Sequence, residues 1–442
     1  MRQIADFHIH SKYSRACSGA LTLENIDKTC RIKGVDIIAT GDFTYPQWFS
    51  DIKNELEETS GLGLYKLKSA KDNKIKFILS TELALIYKQG DKARRIHLVV
   101  HAPNIKAAEE LNDFLDKKFN IRSDGRPILG MSSPDLVKLC LAIHPKFMIY
   151  PAHIWTPWFS VFGSKSGFNS MEECFGNHAK DIYAYETGLS SDPEMNWRLS
   201  ALDNLTLLSN SDAHSLPNIG REANVFELNE ISYDEIYNAI KQKDTGKIKY
   251  TIEFYPEEGM YHYDGHRLCG ARFSPEQTKK HKGVCPVCKK PLTIGVVNRV
   301  EELADRPANA FAASFAEVAS ATKAESAGKP AGLNPPTGQA KFVKLVELDK
   351  IIAEAFGVKS RNSRAVQSEY NNIIKRLGPE LKILIDEPLE KIKQIALPAV
   401  AEGIRRARQG ELIIEPGFDG QYGAVKIFSE KEKGKEKQRA LF

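Results

Sequence analysis

The chain has 442 residues, of which 62 are Lys or Arg and 57 are Asp or Glu, giving a formal net charge of +5. This length predicts two or three domains rather than one, and so mild a charge permits a nucleic-acid partner without requiring one. No stretch approaches the ~20 apolar residues that cross a bilayer, and Met1 leads into a strand pattern rather than a secretory signal. We therefore expect no membrane partner and a cytoplasmic protein.

Short apolar runs alternate with amphipathic stretches between Ile4 and Phe226. Two of the amphipathic stretches, Leu23 to Lys33 and Lys106 to Lys118, predict helices. The apolar runs predict strands at residues 37–40, 75–79, 96–100, 147–150, 182–185 and 206–208. This alternation is typical of an α/β fold with a largely parallel sheet or barrel, and we assign residues 1–248 to it.

Two short motifs in this region carry paired side chains of the kind that bind metals. His8 and His10 are two residues apart, as are Asp212 and His214, and alternate residues of a strand share a face. A mixed set of imidazoles and carboxylates favours the metal ions used in hydrolysis.

Further candidate ligands share one placement, at or directly after an apolar strand run. Active sites of barrel enzymes gather at one rim in this way. The candidate metal ligands are His8, His10, Asp42, Glu82, His97, His153, Asp212 and His214, and all but His97 are also predicted catalytic residues. A single strand histidine is more often structural, but independent structural histidines would not share this placement, so we predict a joint metal site.

The cysteines predict a second metal site, in a unit at residues 249–306. Four of the seven cysteines are scattered, whereas three cluster with a histidine as two short pairs. The predicted ligands are His266, Cys269, Cys285 and Cys288. This spacing suits a closed tetrahedral zinc site that stabilises the fold, with His262 and His281 as alternatives to His266.

Five lysines crowd the same unit. They are Lys279, Lys280, Lys282, Lys289 and Lys290. Such a cluster is either a solvated face or a phosphate-binding surface.

The remaining residues predict a linker and a mainly helical C-terminal region. Residues 307–342 are rich in Ala, Ser, Gly and Pro, which indicates a linker or insertion. Within residues 343–442, apolar residues recur at helical spacing from Val343 to Phe356 and again from Val366 to Leu377.

A third helix and a hairpin complete the C-terminal prediction. The helix spans Pro388 to Arg408, with a kink expected at Pro398. Strands at 411–414 and 424–428 flank a glycine-rich turn, and a charged tail follows.

In combination, these motifs resemble the polymerase-and-histidinol-phosphatase (PHP) superfamily of metal phosphoesterases. His8-Ile9-His10 matches its first motif and Asp212-Ala213-His214 its last, with Ser80-Thr81-Glu82 and Pro151-Ala152-His153 between them in the right order. The resemblance implies a distorted seven-stranded β/α barrel that holds up to three metal ions.

The second motif departs from the superfamily pattern. Where the superfamily has Thr-Asp-His, this chain has Thr40-Gly41-Asp42, so Asp42 is the expected ligand and a neighbouring histidine is missing. After Glu82 the superfamily pattern favours His97 over His101 as the next ligand.

Longer segments resemble the endonuclease Q family, DNA-repair enzymes that nick 5′ to deaminated bases. They are Gly41 to Thr44, Pro151 to Phe159, Glu186 to Pro193, the cysteine unit and the turn at 416–423. The resemblance implies a metal-dependent endonuclease that acts on DNA containing hypoxanthine, uracil, xanthine or an abasic site. It implies zinc in the cysteine unit and in the barrel, Mg or Mn for activity, and leaves open a sliding clamp or another repair protein as a partner.

Aromatic and polar residues near the predicted rim are candidates for substrate binding. Trp155, Trp158 and Phe159 follow His153 and either stack on a nucleobase or plug the contact with the next domain. The other candidates are Glu186, Ser190, Ser191, Phe418 and Tyr422. Local packing is the alternative for Phe418 and Tyr422, and Asp192 suits the N-cap of a helix that begins at Pro193.

Two other functions compete with a repair endonuclease. A small-molecule phosphatase of the PHP type has no evident use for a zinc unit and a long C-terminal region. A nucleic-acid-binding protein with an inactive metal site would bind metal without nicking DNA.

Overall fold

The computed structural model describes residues 1–308, 338–430 and 432. Most of the predicted linker at 307–342 and of the predicted charged tail lies outside these residues. In the described part of the chain, no helix is long and apolar enough to span a membrane.

The strands range from two to ten residues. In chain order they are β1 (Arg2–Asp6), β2 (Ile37–Ala39), β3 (Leu56–Glu58), β4 (Tyr65–Leu67), β5 (Lys76–Ile78), β6 (Ser80–Gln89), β7 (Lys92–His101), β8 (Ile128–Leu129), β9 (Met148–Pro151), β10 (Ala184–Glu186), β11 (Thr206–Leu208), β12 (Ala223–Glu227), β13 (Ile248–Glu253), β14 (Asp264–His266), β15 (Ala271–Phe273), β16 (Lys341–Lys344), β17 (Ile413–Glu415) and β18 (Ala424–Lys426).

The main sheet has the order β16-β13-β12-β1-β2-β5-β4-β3. Its central strands β1 and β2 pair in parallel; β2 is buried throughout and β1 is buried from Ile4 to Asp6. A second sheet has the order β8-β6-β7-β9, and β10 pairs in parallel with β11. The α/β class is therefore confirmed, but these pairings do not show the closed seven-stranded barrel that the superfamily resemblance implies.

The expectation of a largely parallel sheet is wrong, because the sheets are mixed. β1 pairs antiparallel with β12, and β6 and β7 form an antiparallel hairpin in which Gln89 lies opposite Lys92. The two residues between them, Gly90 and Asp91, are of the kind that tight hairpin turns require.

The helices cover the sheets and form most of the C-terminal region. They are α1 (Leu23–Lys33), α2 (Pro46–Glu55), α3 (Ile105–Asp116), α4 (Ser133–Ile143), α5 (Met171–Phe175), α6 (Pro193–Asn196), α7 (Tyr233–Lys241), α8 (Pro275–Lys280), α9 (Val296–Leu303), α10 (Leu348–Ala355), α11 (Arg364–Leu377), α12 (Glu380–Ile385), α13 (Leu389–Ile395) and α14 (Pro398–Gln409). Several begin at a side chain that caps the first turn, as Thr22 does for α1 and Asn104 for α3.

Two predicted C-terminal elements differ from the structure. Val343 lies in β16, which pairs in parallel with β13, so the helix begins only at Leu348. Pro398 does not kink one long helix but occupies the first turn of α14, directly after α13. Proline suits that position because the first amide of a helix needs no partner.

The C-terminal helices are tied to the α/β region by ion pairs. Lys33, at the end of α1, lies 2.8 Å from Glu380 of α12, and both side chains are buried. Arg2 in β1 lies 2.6 Å from Asp386. β13 itself crosses the predicted domain boundary at residue 248, so the main sheet continues beyond that boundary.

Candidate metal centre

The ends of several strands bring the predicted ligands together. His8 and His10 follow β1, Glu82 lies in β6, and His97 lies in β7. His153 follows β9 and Asp212 follows β11. These side chains are buried or nearly so, in keeping with a site at one rim of the sheets.

Four side chains form the first ligand group. His8, His10, Glu82 and Asp212 each offer one atom within 4.8 Å of the others. The Nε2 atom of His10 lies 3.1 Å from Oδ1 of Asp212 and 3.2 Å from Oε2 of Glu82. The Nε2 atom of His8 is buried and, among the residues that the structure describes, has no hydrogen-bond partner. An unpartnered imidazole nitrogen beside two carboxylates fits a metal ligand.

Glu82 also belongs to a second group, with His97 and His153. Its Oε1 atom lies 2.8 Å from Nδ1 of His97 and 3.2 Å from Nε2 of His153. The two oxygens of one carboxylate therefore face two different groups of imidazoles. This arrangement fits a carboxylate that bridges two metal ions.

Asp42 lies behind His10 rather than in either ligand group. Its Oδ1 atom is 3.0 Å from Nδ1 of His10, and its Oδ2 atom accepts hydrogen bonds from Ser11 and Ser14. Asp42, which was expected to be a ligand, is thus placed to orient the imidazole of His10, because neighbouring donors occupy both of its carboxylate oxygens.

Glu186 is likewise placed against an imidazole and not at an open surface. It is fully buried, and its Oε2 atom lies 3.0 Å from Nδ1 of His8. It also accepts hydrogen bonds from the backbone amide of His153 and from Asn210. Its expected contact with substrate is not available in this arrangement, because the carboxylate is enclosed by these donors.

Backbone strain marks three of the site residues. Asp42, His153 and Asp212 have φ angles of +48°, +28° and +45°. Aspartate adopts this left-handed region more readily than most residues, whereas histidine at +28° is an outlier. Such strain is most often retained where the surrounding structure fixes a functional side chain.

The carboxylates make the site attractive to positive charge. Burial acts to lower the pKa of His8, but the charges of Glu186, Glu82 and Asp212 raise it well above its ordinary value. Burial also acts to lower the pKa of His10, but Asp42, Asp212 and Glu82 raise this pKa well above its ordinary value. The negative charge of these carboxylates stabilises protonated imidazoles when no metal ion is present. The same charge would favour the binding of a metal cation.

Arg126 also reaches this site, which the sequence motifs did not indicate. Its Nη1 atom lies 2.9 Å from Oε2 of Glu82. The residue lies in the loop before β8, beyond any strand end, so neither the strand pattern nor the superfamily motifs point to it.

The remaining predicted ligands are His214 and the alternatives His97 and His101. The ring of His214 lies 4.6 Å from that of His10, outside both ligand groups, and its Nδ1 atom is 2.9 Å from the backbone carbonyl of Asp212. His101 is buried and lies 3.1 Å from the hydroxyl of Tyr150. The structure therefore places His97, and not His101, beside Glu82.

Of the three candidate aromatic residues after His153, Trp155 lies in the core, whereas Trp158 and Phe159 lie closer to the surface. Trp155 is 1% exposed and donates to Asn196, so it cannot stack on a base in this conformation. Phe159 is half-buried, with its ring 4.5 Å from that of His97. Trp158 is 38% exposed and packs edge-on against Tyr261 at 5.4 Å. Trp158 is thus open to substrate, whereas the assignment of Trp155 to substrate binding is not supported.

The polar loop after β10 is largely occupied by internal contacts. Ser191 is buried and donates to the carbonyl of Thr187. Ser190 is half-buried, and its hydroxyl has no hydrogen-bond partner among the described residues. Asp192 caps α6 by accepting from the amide of Met195 and pairs with Lys344 at 2.7 Å. Of the two serines, only Ser190 keeps a free hydrogen-bonding group.

The predicted zinc ligands form the third group of metal-type side chains. His266, Cys269, Cys285 and Cys288 each offer one atom within 4.8 Å of the others. They surround a small apolar cluster that includes Ala271 and Leu292. His281 stacks on Phe273 instead, and His262 lies outside the group. One imidazole and three thiolates fit a tetrahedral zinc site.

The turn between β17 and β18 rests on this unit. Phe418 is half-buried and its backbone bridges to Tyr263. Asp419 accepts a hydrogen bond of 2.7 Å from the amide of Arg267. Tyr422 is 78% exposed. Phe418 therefore packs locally, whereas Tyr422 is free to contact another molecule.

Comparison with known proteins agrees with the PHP superfamily. A PHP-associated family model matches residues 195–245, and a model of the MJ0043 C-terminal domain matches residues 347–411. The solved structure of the lesion-specific endonuclease PfuEndoQ from Pyrococcus furiosus is 29% identical, with a TM-score of 0.80, and the match covers 100% of this chain and 99% of that one. The chain is similar to endonuclease Q over its whole length.

A second solved structure and two curated proteins extend the comparison. Endonuclease Q in complex with a 27-mer duplex that carries an abasic lesion at its active site matches with a TM-score of 0.80 and 29% identity, over 97% of this chain and 98% of that one. The uncharacterized protein MJ0043 of Methanocaldococcus jannaschii is 33% identical over 63% of this chain, but the chain spans only 32% of its length. The uncharacterized protein YqxK of Bacillus subtilis is 26% identical, over 96% of this chain and 98% of its own. The resemblance to endonuclease Q predicted from the sequence is thus confirmed.

Proposed function

We propose that this protein is a metal-dependent DNA-repair endonuclease that hydrolyses the phosphodiester 5′ to a damaged base. The observation that carries the proposal is the whole-chain similarity to a lesion-specific endonuclease at a TM-score of 0.80. The grouping of His8, His10, Glu82 and Asp212 supports it independently, because this donor set suits metal-assisted phosphoester hydrolysis.

The residues of the centre divide into ligands and the groups that hold them. His8, His10, Glu82, His97, His153 and Asp212 would bind divalent metal ions. Asp42 and Glu186 would fix the rings of His10 and His8 so that each Nε2 atom faces the centre. Bound divalent ions would supply charge stabilisation for the phosphate and a water of lowered pKa, so no separate general base is needed.

The finer features of the function belong to this proposal. The lesions are deaminated bases (hypoxanthine, uracil or xanthine) and abasic sites, and the damaged base is extruded from the duplex before cleavage. His266, Cys269, Cys285 and Cys288 would hold zinc, the ligands around Glu82 would also hold zinc, and Mg or Mn would support activity. A location in the cytoplasm and a sliding clamp or other repair partner are further parts of the proposal.

The test is a nicking assay with purified full-length protein. Labelled duplexes carry hypoxanthine, uracil, xanthine or an abasic site, and an undamaged duplex of the same sequence is the control. We expect a single nick 5′ to the lesion and none in the undamaged duplex. His8→Ala and Asp212→Ala should abolish nicking and lower the metal content while the circular dichroism spectrum is retained.

Other outcomes would select the competing functions. Rapid hydrolysis of a chromogenic phosphomonoester without nicking would indicate a PHP-type phosphatase. Full metal content and DNA binding with neither activity would indicate an inactive binding protein. Full nicking by His8→Ala or Asp212→Ala would contradict the assignment of the metal centre.

A further inference from the structure

The unit at residues 261–295 carries the excess positive charge of the whole chain. It contains seven Lys or Arg against two Asp or Glu, a net charge of +5, which equals the formal charge of all 442 residues. The remainder of the chain is therefore balanced. The lysines Lys279, Lys280, Lys282, Lys289 and Lys290 are all exposed.

The most exposed apolar side chains lie in this unit or in the turn that packs against it. Among the described residues, the three large hydrophobic side chains with the greatest exposure are Leu268 at 84%, Tyr422 at 78% and Val287 at 68%. We call these three residues the apolar edge. Clustered exposed apolar side chains mark interaction sites, and here they lie in or against the unit that carries the five exposed lysines.

The backbone beneath the apolar edge is well fixed. Leu268 lies between His266 and Cys269, and Val287 between Cys285 and Cys288, so both project from the same ligand group. Tyr422 belongs to the turn that is tied to Arg267 through Asp419. The three side chains are exposed on ordered backbone and do not belong to a frayed segment.

Two contacts link the turn that carries Tyr422 with the loop that follows His153. Trp158, in the loop after His153, packs against Tyr261. The amide of Gly420 donates to the carbonyl of Met260, the residue before Tyr261, at 3.0 Å. The loop beside the metal centre and the turn that carries Tyr422 are therefore joined through Met260 and Tyr261.

We propose that Leu268, Val287 and Tyr422 insert into the base stack of duplex DNA beside the lesion and hold it open while the lysines bind the flanking phosphates. Apolar side chains that wedge between base steps unstack them, and a positively charged rim suits a polyanion better than an ordinary protein surface. This inference rests on the proposed function, and it assigns the opening of the duplex to a surface separate from the group of His8, His10, Glu82 and Asp212.

The experiment compares one lesion in two settings. Hypoxanthine is placed either in a fully paired duplex or in an unpaired bubble of the same sequence, and the nicking rate is measured for the wild type and for Leu268→Ala/Tyr422→Ala. Because a bubble is already open, we expect the ratio of duplex to bubble rates to fall by about tenfold or more in the variant. Leu397→Ala, which removes a 49% exposed side chain from the C-terminal region, should leave this ratio unchanged.

A second measurement does not depend on nicking. A 2-aminopurine next to the lesion, in a duplex with a phosphorothioate at the cleavage position, should fluoresce more strongly when the wild type binds and much less so with the variant at saturation. Equal losses on duplex and bubble, or unchanged ratio and fluorescence, would overturn the inference. If the wild type nicks neither substrate, the proposed function fails, and an unchanged fluorescence signal would separately reject the apolar edge.

Discussion

The guanidinium Nη1 atom of Arg126 lies 2.9 Å from Oε2 of Glu82, the carboxylate that joins the two ligand groups. Arg126 thus pairs directly with this carboxylate, and the strand-end motifs did not reveal it. Its charge counters that of Glu82. Among the described residues its other guanidinium nitrogens make no hydrogen bond, and arginine suits the two-point binding of a phosphate better than lysine.

Replacing Arg126 by Ala should therefore slow nicking by about tenfold to a hundredfold, as the loss of a charge-stabilising donor does. Arg126→Lys should recover only part of this loss. Arg122, in the same loop, pairs with Asp116 at the surface, and Arg122→Ala is the matched control. Steady-state nicking rates check the prediction, and equal activity of the two alanine variants would contradict it.

A glycine holds His153 in place. Gly188 has a φ of +60°, and a side chain there would lie 2.7 Å from Cα of His153. Gly188→Ala should thus displace His153 and abolish most of the nicking. Gly410→Ala, at a φ of +68° with no atom within 4 Å of the added carbon, imposes the backbone cost of about 1 kcal/mol without a collision. Comparable activity loss in both variants would show that backbone strain, not displacement of His153, is the cause.

The two tryptophans after His153 should respond differently to substitution. Trp158→Ala should weaken the binding of lesion DNA by about tenfold, since stacking on a base contributes about 1–3 kcal/mol. Trp155→Ala should instead lower stability by about 3–5 kcal/mol, because it empties a buried site. Binding titrations and thermal melting on both proteins test this pair. Normal affinity in Trp158→Ala would remove it from the substrate surface.

The cysteine group should contribute one zinc ion to the protein. Cys285→Ser/Cys288→Ser should contain one zinc fewer per chain and melt at a lower temperature, because binding energy at such a site contributes to folding. Cys140→Ala, a buried cysteine of α4 outside the group, should change stability but not zinc content. Elemental analysis decides, and equal zinc in all three proteins would refute the site.

A buried carboxyl pair should make stability fall as the pH rises from about 4.5 to about 8. Burial raises the pKa of Glu253 to about 8 and that of Glu222 well above its usual range. The folded state then binds more protons than the unfolded state, so stability declines as pH rises from about 4.5 through about 8. Glu253→Gln should flatten this decline, and its melting temperature relative to wild type should increase with pH. A constant difference between the two proteins across this range would show that Glu253 titrates normally.

The sequence predicted which positions gather at the centre but not how they are arranged there. Strand periodicity shows that His10 and Asp42 face the same rim, yet it contains no distances, so the ligand and the group behind it are indistinguishable. For the same reason the sequence did not show that hydrogen-bonding groups enclose the carboxylate of Glu186. Arg126 was missed because loop positions follow no periodicity.

Errors in the fold have similar physical causes. Gly90 and Asp91 suit a tight hairpin turn, but the strand prediction rested only on the apolar run of β7, which looked like one more parallel strand. Val343 fits a helical spacing with the residues after it. It lies in a strand because β16 pairs with the edge of β13, and no local sequence pattern reveals that pairing.

The pairing of β13 with β16 has a consequence for how this protein can change over evolution. β13 ends at Glu253 and β16 begins at Lys341, and the two lie side by side in one sheet. The intervening segment carries the cysteine group with Leu268 and Val287, and the chain then rejoins the sheet beside β13. Such a segment can lengthen, shorten or be exchanged while the hydrolytic centre keeps its frame, so lesion preference can diverge without new catalytic chemistry.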